Sequence, residues 1–325
     1  MMIRVASIVL FTAFNLTAAF AQAPAAEWPA KPVRFMVPFP AGSSTDVVAR
    51  IVGHLLSQRL GAQFVIDNRV GASGILGSDA VARAAPDGYT IGLASTSTHA
   101  LAPTLSAKLS YNPAKDFAPV SMIGSSPYVM VTYPGLGANS VQDFIALAKT
   151  KPGALTYGSA GPASLAHLAG VLFAKAAGVQ IIHVPYKSTA QSVTDLMTGR
   201  LDMQFATIAP TLPLILSGQL RALAVTGEKR SGTMSELPTI AELGFPGYEA
   251  LLWMGLVMPP ATPAGIVARL NRALIDVLHT KEAKDALLAQ GFDIETSTPE
   301  SLRARIASDI EKWRVVIAGA GIQAE

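Results

Sequence analysis

The chain has 325 residues, of which 50% are hydrophobic and 14% charged, with a formal net charge of +3 and no cysteine. That length and apolar content support two domains of ordinary size around a large core and exclude a disordered chain. Lys and Arg are scattered without a basic block, which excludes nucleic acid as a partner. The missing thiols exclude disulfides, a cysteine nucleophile and a Cys-ligated metal.

The N-terminus reads as a targeting segment. Arg4 precedes an apolar run that ends at Ala19-Phe20-Ala21, a small-x-small cleavage signal, so cleavage after Ala21 is expected, followed by a linker over 22–31. The run is short for a membrane span and meets the cleavage signal directly. No later stretch is long and apolar enough to cross a bilayer, so the mature chain is expected to be soluble and exported.

From Val33 the pattern alternates between strand-like and helix-like segments. Val33 to Phe39 reads as a buried strand. Asp46 to Leu60 carries Val47, Val48, Ile51, Leu55 and Leu56 at helical spacing and closes on Gly61. A strand over Gln63–Ile66 and a helix over Ile75–Ala84 follow, and Pro86-Asp87-Gly88 turns into a strand over Tyr89–Ala94. Gly71 to Gly77 has a faint likeness to a dinucleotide loop, but no strand-to-helix context fits it. It reads as the start of a helix packed closely on the sheet. Further on, strands are expected at Ala154–Tyr157, Ile181–Val184, Leu201–Phe205, Arg221–Val225 and Leu252–Met258. Helices are expected at Ser164–Ala177, Ser188–Thr198, Pro263–Leu278, Lys281–Ala289 and from Pro299 to about Ala318. This alternation predicts an α/β fold with parallel sheets covered on both faces.

Two strand-to-helix junctions share one build. In VPFPAGSSTD an apolar run gives way to Ala41-Gly42-Ser43-Ser44, and Ser44 or Thr45 can cap the helix that follows. In LTYGSAGPAS a strand ends at Tyr157, and Gly158-Ser159-Ala160-Gly161 turns into a helix with Pro162 in its first turn. Small residues leave the unpaired N–H groups of a helix N-terminus within reach of an anion. Neither loop has the Lys of a phosphate-binding P-loop, so a carboxylate fits better than a nucleotide. On pattern alone, each loop reads equally as a tight turn with a serine cap.

The ordered set WPAKPVRFMVPFPAGSSTD, VIDNRVGASGILG, APDGYTIGLAS, KDFAPVSMIG, KPGALTYGSAG, HVPYKS, LRALAVTG, ELPTIAELGFPGYE and WMGLVMPPATP resembles the receptors of tripartite tricarboxylate transporters, the Bug-type periplasmic binding proteins. The resemblance covers nearly all of the mature chain. It implies a type II periplasmic-binding-protein fold: a two-lobed Venus flytrap, each lobe a doubly wound, mostly parallel sheet. Residues 32–124 and 248–325 are expected in lobe 1 and 125–247 in lobe 2, with crossings near Ser125 and Gly247. It also implies a periplasmic, monomeric receptor that binds a small organic carboxylate and hands it to integral-membrane transporter subunits, with no catalysis, cofactor or metal. Carried over residue by residue, the family's ligand contacts fall on Phe39, Ala41, Gly42, Ser43, Ser44, Thr45 and Asp46 of one lobe. On the other they fall on Gly158, Ser159, Ala160, Gly161, Ala163 and Ser164.

Three positions depart from the family pattern. Ser43 stands where many relatives have a second Gly, Ser188 to Gln191 replaces a Gly-containing stretch, and Ala206 stands where many relatives carry an Asp. Loss of that Asp argues against amino-acid ligands. Ser95 and Thr96 follow a strand end and are further candidates for ligand contact, as is Lys187, which could pair with a second carboxylate. His99 is a weaker candidate. Asp46, in a first helical turn, also suits a role in steadying its loop. A ligand sensor for a membrane signalling partner would share all of this chemistry. An exported serine hydrolase has less support, since Ser159 lies in no G-x-S-x-G motif and the five histidines show no metal-ligand spacing.

Overall fold

The computed structural model describes residues 28–322; the expected leader (1–21) and linker residues 22–27 lie outside the described residues. Lobe 1 opens with β1 (Val33–Val37), α1 (Ser44–Leu60), β2 (Phe64–Asn68), α2 (Ile75–Ala82) and β3 (Thr90–Ser95). β1 pairs in parallel with β2 on one side and β3 on the other. A π-helical turn (Thr96–Leu101) and the short α3 (Ala102–Leu105) lead to β4 (Ala118–Thr132). Lobe 2 adds α4 (Val141–Thr150), β5 (Thr156–Ser159), α5 (Leu165–Ala177), β6 (Ile182–Pro185), α6 (Thr189–Met197), β7 (Met203–Thr207), α7 (Ile208–Leu216) and β8 (Arg221–Val225). The chain then returns through β9 (Leu251–Met258), α8 (Ala264–Leu278), α9 (Lys281–Leu288), β10 (Asp293–Ile294) and α10 (Pro299–Gly319).

β4 is the backbone of the whole arrangement. Its first part, Ala118 to Pro127, pairs antiparallel with β9; its last part, Tyr128 to Thr132, pairs antiparallel with β7 and β8. The pairing partner therefore changes between Pro127 and Tyr128. The return is made beside it, where Thr226 accepts from the Tyr128 amide through Oγ1 and donates to the Ala250 carbonyl. Each sheet is parallel only in its wound half (β2-β1-β3 and β7-β5-β6). The crossing strands run in opposite senses and force antiparallel pairs at the centre, a departure from the mostly parallel expectation.

Local signals placed the helices well. Gly61 and Gly178 end α1 and α5 in the left-handed conformation, at φ +68° and +63°. Gly77 lies so close to Pro38 and the Arg69 carbonyl that a Cβ would come within 2.8 Å of both, which explains the glycine-rich entry to α2. Five elements had no expectation: α3, β4, α4, α7 and β10. β4 runs through Pro119, Gly124 and Pro127, with two register shifts against β9 and one against β8, and α7 contains Pro213. Proline and glycine are breakers by local rules, and tertiary pairing overrides them here.

Candidate functional site

α1 begins just past β1, and its first turn is braced from within. Ser43, not Ser44 or Thr45, is the cap: its hydroxyl accepts from the Asp46 amide at 3.3 Å. Gly42 stands at φ +80° with open space around it. Asp46 is 1% exposed and uses both carboxylate oxygens. Oδ2 accepts from the Gly42 amide at 2.9 Å and from Arg50 at 2.8 Å, and Oδ1 accepts from Asn68 at 2.8 Å. Burial pushes its carboxyl up, but these donors outweigh that and hold its pKa below the ordinary value. Asp46 steadies the loop. The amides of Ser44 and Thr45 have no hydrogen-bond partner among the described residues.

α5 begins in the same way past β5 but is braced by histidines. Ser164 caps it, accepting from the His167 amide. His167 Nδ1 accepts from the Ala163 amide at 3.0 Å, so Nδ1 carries no proton. His167 stacks on His183 with ring centroids 3.8 Å apart, and Ser159 Oγ lies 2.7 Å from His183 Nε2. Burial, with His183 adding to it, pushes His167 down to about 4; burial also lowers His183. Ser159 is wholly buried beneath its loop. The Ser159–His183 pair therefore supports the turn, and it borders neither of the cavities between the lobes.

Two cavities separate the lobes. The smaller, about 260 Å³, is lined by Gly42 and Ser44 at the start of α1 and by Thr207, Ala209 and Pro210 at the start of α7, with Ser126, Leu252, Gln290 and Phe292. The larger, about 800 Å³, is lined by Ala160, Pro162, Ala163 and Ser164 of the second loop, together with Ser73, Ser97, Leu105 and Tyr128, and again Leu252. The two loops expected to share one ligand thus border different cavities that meet at Leu252. The partner that faces the α1 loop is α7. Neither cavity wall contains a Lys, Arg, Asp or Glu. The polar groups on offer are neutral: backbone amides, hydroxyls and one side-chain amide.

Of the expected contacts, Gly42, Ser44, Ala160, Ala163 and Ser164 line a cavity; Phe39, Ala41, Ser43, Thr45, Gly158 and Gly161 belong to the same loops but line neither cavity. Ser95 and Thr96 do not reach the cleft. Ser95 caps the π-helical turn, and Thr96 Oγ1 donates to the Leu251 carbonyl and accepts from the Trp253 amide. His99 is fully buried between Tyr111 and Phe117 and is pushed down to about 3 by burial. Lys187 is exposed beyond the end of β6 and lines neither cavity. Ala206 points into the core of lobe 2 with Val129 and Ile208, and its neighbour Thr207 is the residue at the cavity. The case against an amine therefore rests on the acid-free walls and not on Ala206. Ser126, Thr207, Gln290 and Tyr128 escaped the sequence reading because they sit on elements, or at junctions, that local pattern did not reveal.

The model of the "Tripartite tricarboxylate transporter family receptor" matches residues 48–322. Protein BugT of Bordetella pertussis is 38% identical over 90% of both chains. A solved structure of an R. palustris protein with adipate is 36% identical, with a TM-score of 0.78 over 92% of this chain and 100% of that one. MatC from Rhodopseudomonas palustris with bound malate is 29% identical, with a TM-score of 0.72 over 89% of this chain and 100% of that one.

Proposed function

The chain belongs to the tripartite tricarboxylate transporter receptor family, a family of solute receptors, and from that membership we propose that it captures a small organic carboxylate lacking an ammonium group and delivers it to a membrane transporter. In this reading residues 1–21 are a signal peptide cleaved after Ala21, and the mature receptor works as a periplasmic monomer.

The observation that carries the reading is the donor set of the smaller cavity. Unbonded amides at the start of α1 face the start of α7 across it. Ser44, Ser126 and Thr207 line the same cavity, and their hydroxyls make no side-chain hydrogen bond among the described residues. Ser44 is exposed, Thr207 half-buried and Ser126 7% exposed, so the three hydroxyls are open to a ligand entering the cavity. A helix N-terminus with open amides and neighbouring hydroxyls favours an anion. Hydrogen bonds to an ionised acceptor are about twice as strong as neutral ones. With no carboxylate on either wall, a ligand ammonium would be buried unpaired.

Calorimetry on matched pairs, succinate with aspartate and adipate with 2-aminoadipate, tests this. The dicarboxylate of each pair is expected to bind more tightly than its amino counterpart. Tighter binding of the amino acids overturns the proposed ligand class.

A further inference from the structure

A third cavity, of about 450 Å³, opens between α5 and α10. Most of its wall is apolar: Val171, Leu172 and Ala174 of α5, Ile181 just before β6, and Val316 of α10. None of these residues lines either cavity of the cleft. Tyr157 also borders it, with its hydroxyl donating to the His167 carbonyl.

His167 supplies a free donor to this wall. The residue is 8% exposed, its Nδ1 accepts from the Ala163 amide, and one face of its ring stacks on His183. Burial lowers its pKa to about 4, so the ring is uncharged near neutral pH. With Nδ1 acting as an acceptor, the one ring proton sits on Nε2. That N–H has no hydrogen-bond partner among the described residues, and His167 lines the cavity. A buried donor without an acceptor is unfavourable. Lys175, exposed and two turns further along the same face of α5, is the one charged residue of the lining. Nearby backbone acceptors are already used. The Ala174 carbonyl accepts from Gly178 and Val179, and the carbonyls of Val316, Ile317 and Ala318 accept from the amides of Ala320, Gly321 and Ile322. The cavity therefore offers donors and one positive charge around an apolar space, in the size range of small-molecule sites.

We propose that this cavity is a second ligand site, separate from the cleft, that takes a small apolar carboxylate. The carboxylate accepts from His167 Nε2, the apolar body packs on Val171, Leu172, Ile181 and Val316, and Lys175 supplies the counter-charge. Because His167 also holds the Ala163 amide, and Ala163 lines the larger cavity of the cleft, a ligand here bears on the α5 loop.

The test follows the histidine ring nitrogens by NMR as hexanoate or 1-hexanol is added, with the His167 signals assigned by their absence in His167→Asn. Hexanoate is expected to shift the Nε2 signal to saturation, and 1-hexanol to bind at least about threefold more weakly. Lys175→Gln should weaken hexanoate by about threefold, the range of an exposed charge pair. Val171→Trp, which fills the cavity, should abolish the shift while the melting temperature stays unchanged. Lys175→Gln alters only an exposed residue and decides the matter if Val171→Trp does not fold. A shift that is absent or never saturates means that Nε2 meets water only, and overturns the site. A shift that persists in a folded Val171→Trp reports the cleft through Ala163 and overturns it too. Equal affinities for hexanoate and 1-hexanol, or an unchanged affinity in Lys175→Gln, overturn the assignment of a carboxylate.

Discussion

The α1 loop and the α5 loop are the same device built with different chemistry. Each leaves a strand, turns through small residues and opens a helix whose serine cap accepts from the amide three residues on. The α1 loop is then tied by a charged group, the Asp46 carboxylate, which gathers Gly42, Arg50 and Asn68. The α5 loop is tied by neutral groups, the His167–His183 stack with Ser159 and the Ala163 amide. One loop holds while a carboxylate stays ionised; the other holds while an imidazole stays uncharged. The turn geometry shared by the loops says nothing of this difference.

The comparison breaks most sharply at Asp46. Asp46→Ala removes the acceptor of three donors at once, and the expected loss is about 2–3 kcal/mol of stability, since bonds to an ionised acceptor are the strong ones. Ligand binding should fall with it as the start of α1 loosens. Urea denaturation and calorimetry of the variant read both effects. A loss under about 0.5 kcal/mol, as for an ordinary surface change, removes Asp46 from its assigned role.

Acid should reach the second loop first. His167 titrates near 6.5 when unfolded and at about 4 when folded, so between those values the unfolded chain binds more protons. Stability conferred by keeping His167 neutral is therefore full above 6.5 and is lost as pH falls through the window down to about 4. His99 adds a second loss that extends to about 3. Asp46 acts lower, because its stabilisation fades only as pH falls through a carboxylate pKa that is itself lowered. In His167→Asn the Oδ1 replaces Nδ1 as acceptor for the Ala163 amide and the titration disappears. Urea midpoints between about pH 7 and pH 4.5 should then fall less steeply than in the wild type. Coincident profiles would show that His167 is not a source of the acid loss.

The smallest contrast lies in the backbone. Gly42 at φ +80° and Ala163 at φ +58° are left-handed residues of the two loops. Gly42→Ala should cost about 1 kcal/mol, because only the folded state is strained. Ala163→Gly should change stability by less than about 0.5 kcal/mol, since relief of strain is offset by the freer unfolded chain. Thermal melts of the two variants check this, and equal shifts would mean that the loops do not differ in stored strain.

Much of the fold could be read locally. The apolar spacing of α1, α5, α8 and α10, the glycines that end α1 and α5, and the serines that open α5 and α6 all act within one turn of chain, so contiguous residues suffice to place them. The two small-residue loops were visible for the same reason. Their assignment to one shared pocket was not, because α7, with Pro210 and Pro213 in it, gave no helical signal and yet supplies the opposite wall of the α1 cavity.

What the sequence by itself determined is the alternation of strands and helices, the two small-residue turns that open α1 and α5, and the resemblance that pointed to a two-lobed receptor. What only the tertiary structure decided is the cleft. Tyr128 meets Thr207, and Ser126 meets Leu252, through strand pairing between residues far apart in sequence. Which of Ala206 and Thr207 faces the cavity follows from the register of β7 on β4, and a shift of one residue would exchange them. His167 and His183 come from different elements and stack only because β5 and β6 pair in parallel beneath α5. Local periodicity carries helices and turns. Register and crossing are properties of distant partners, and they decide what lines the two cavities.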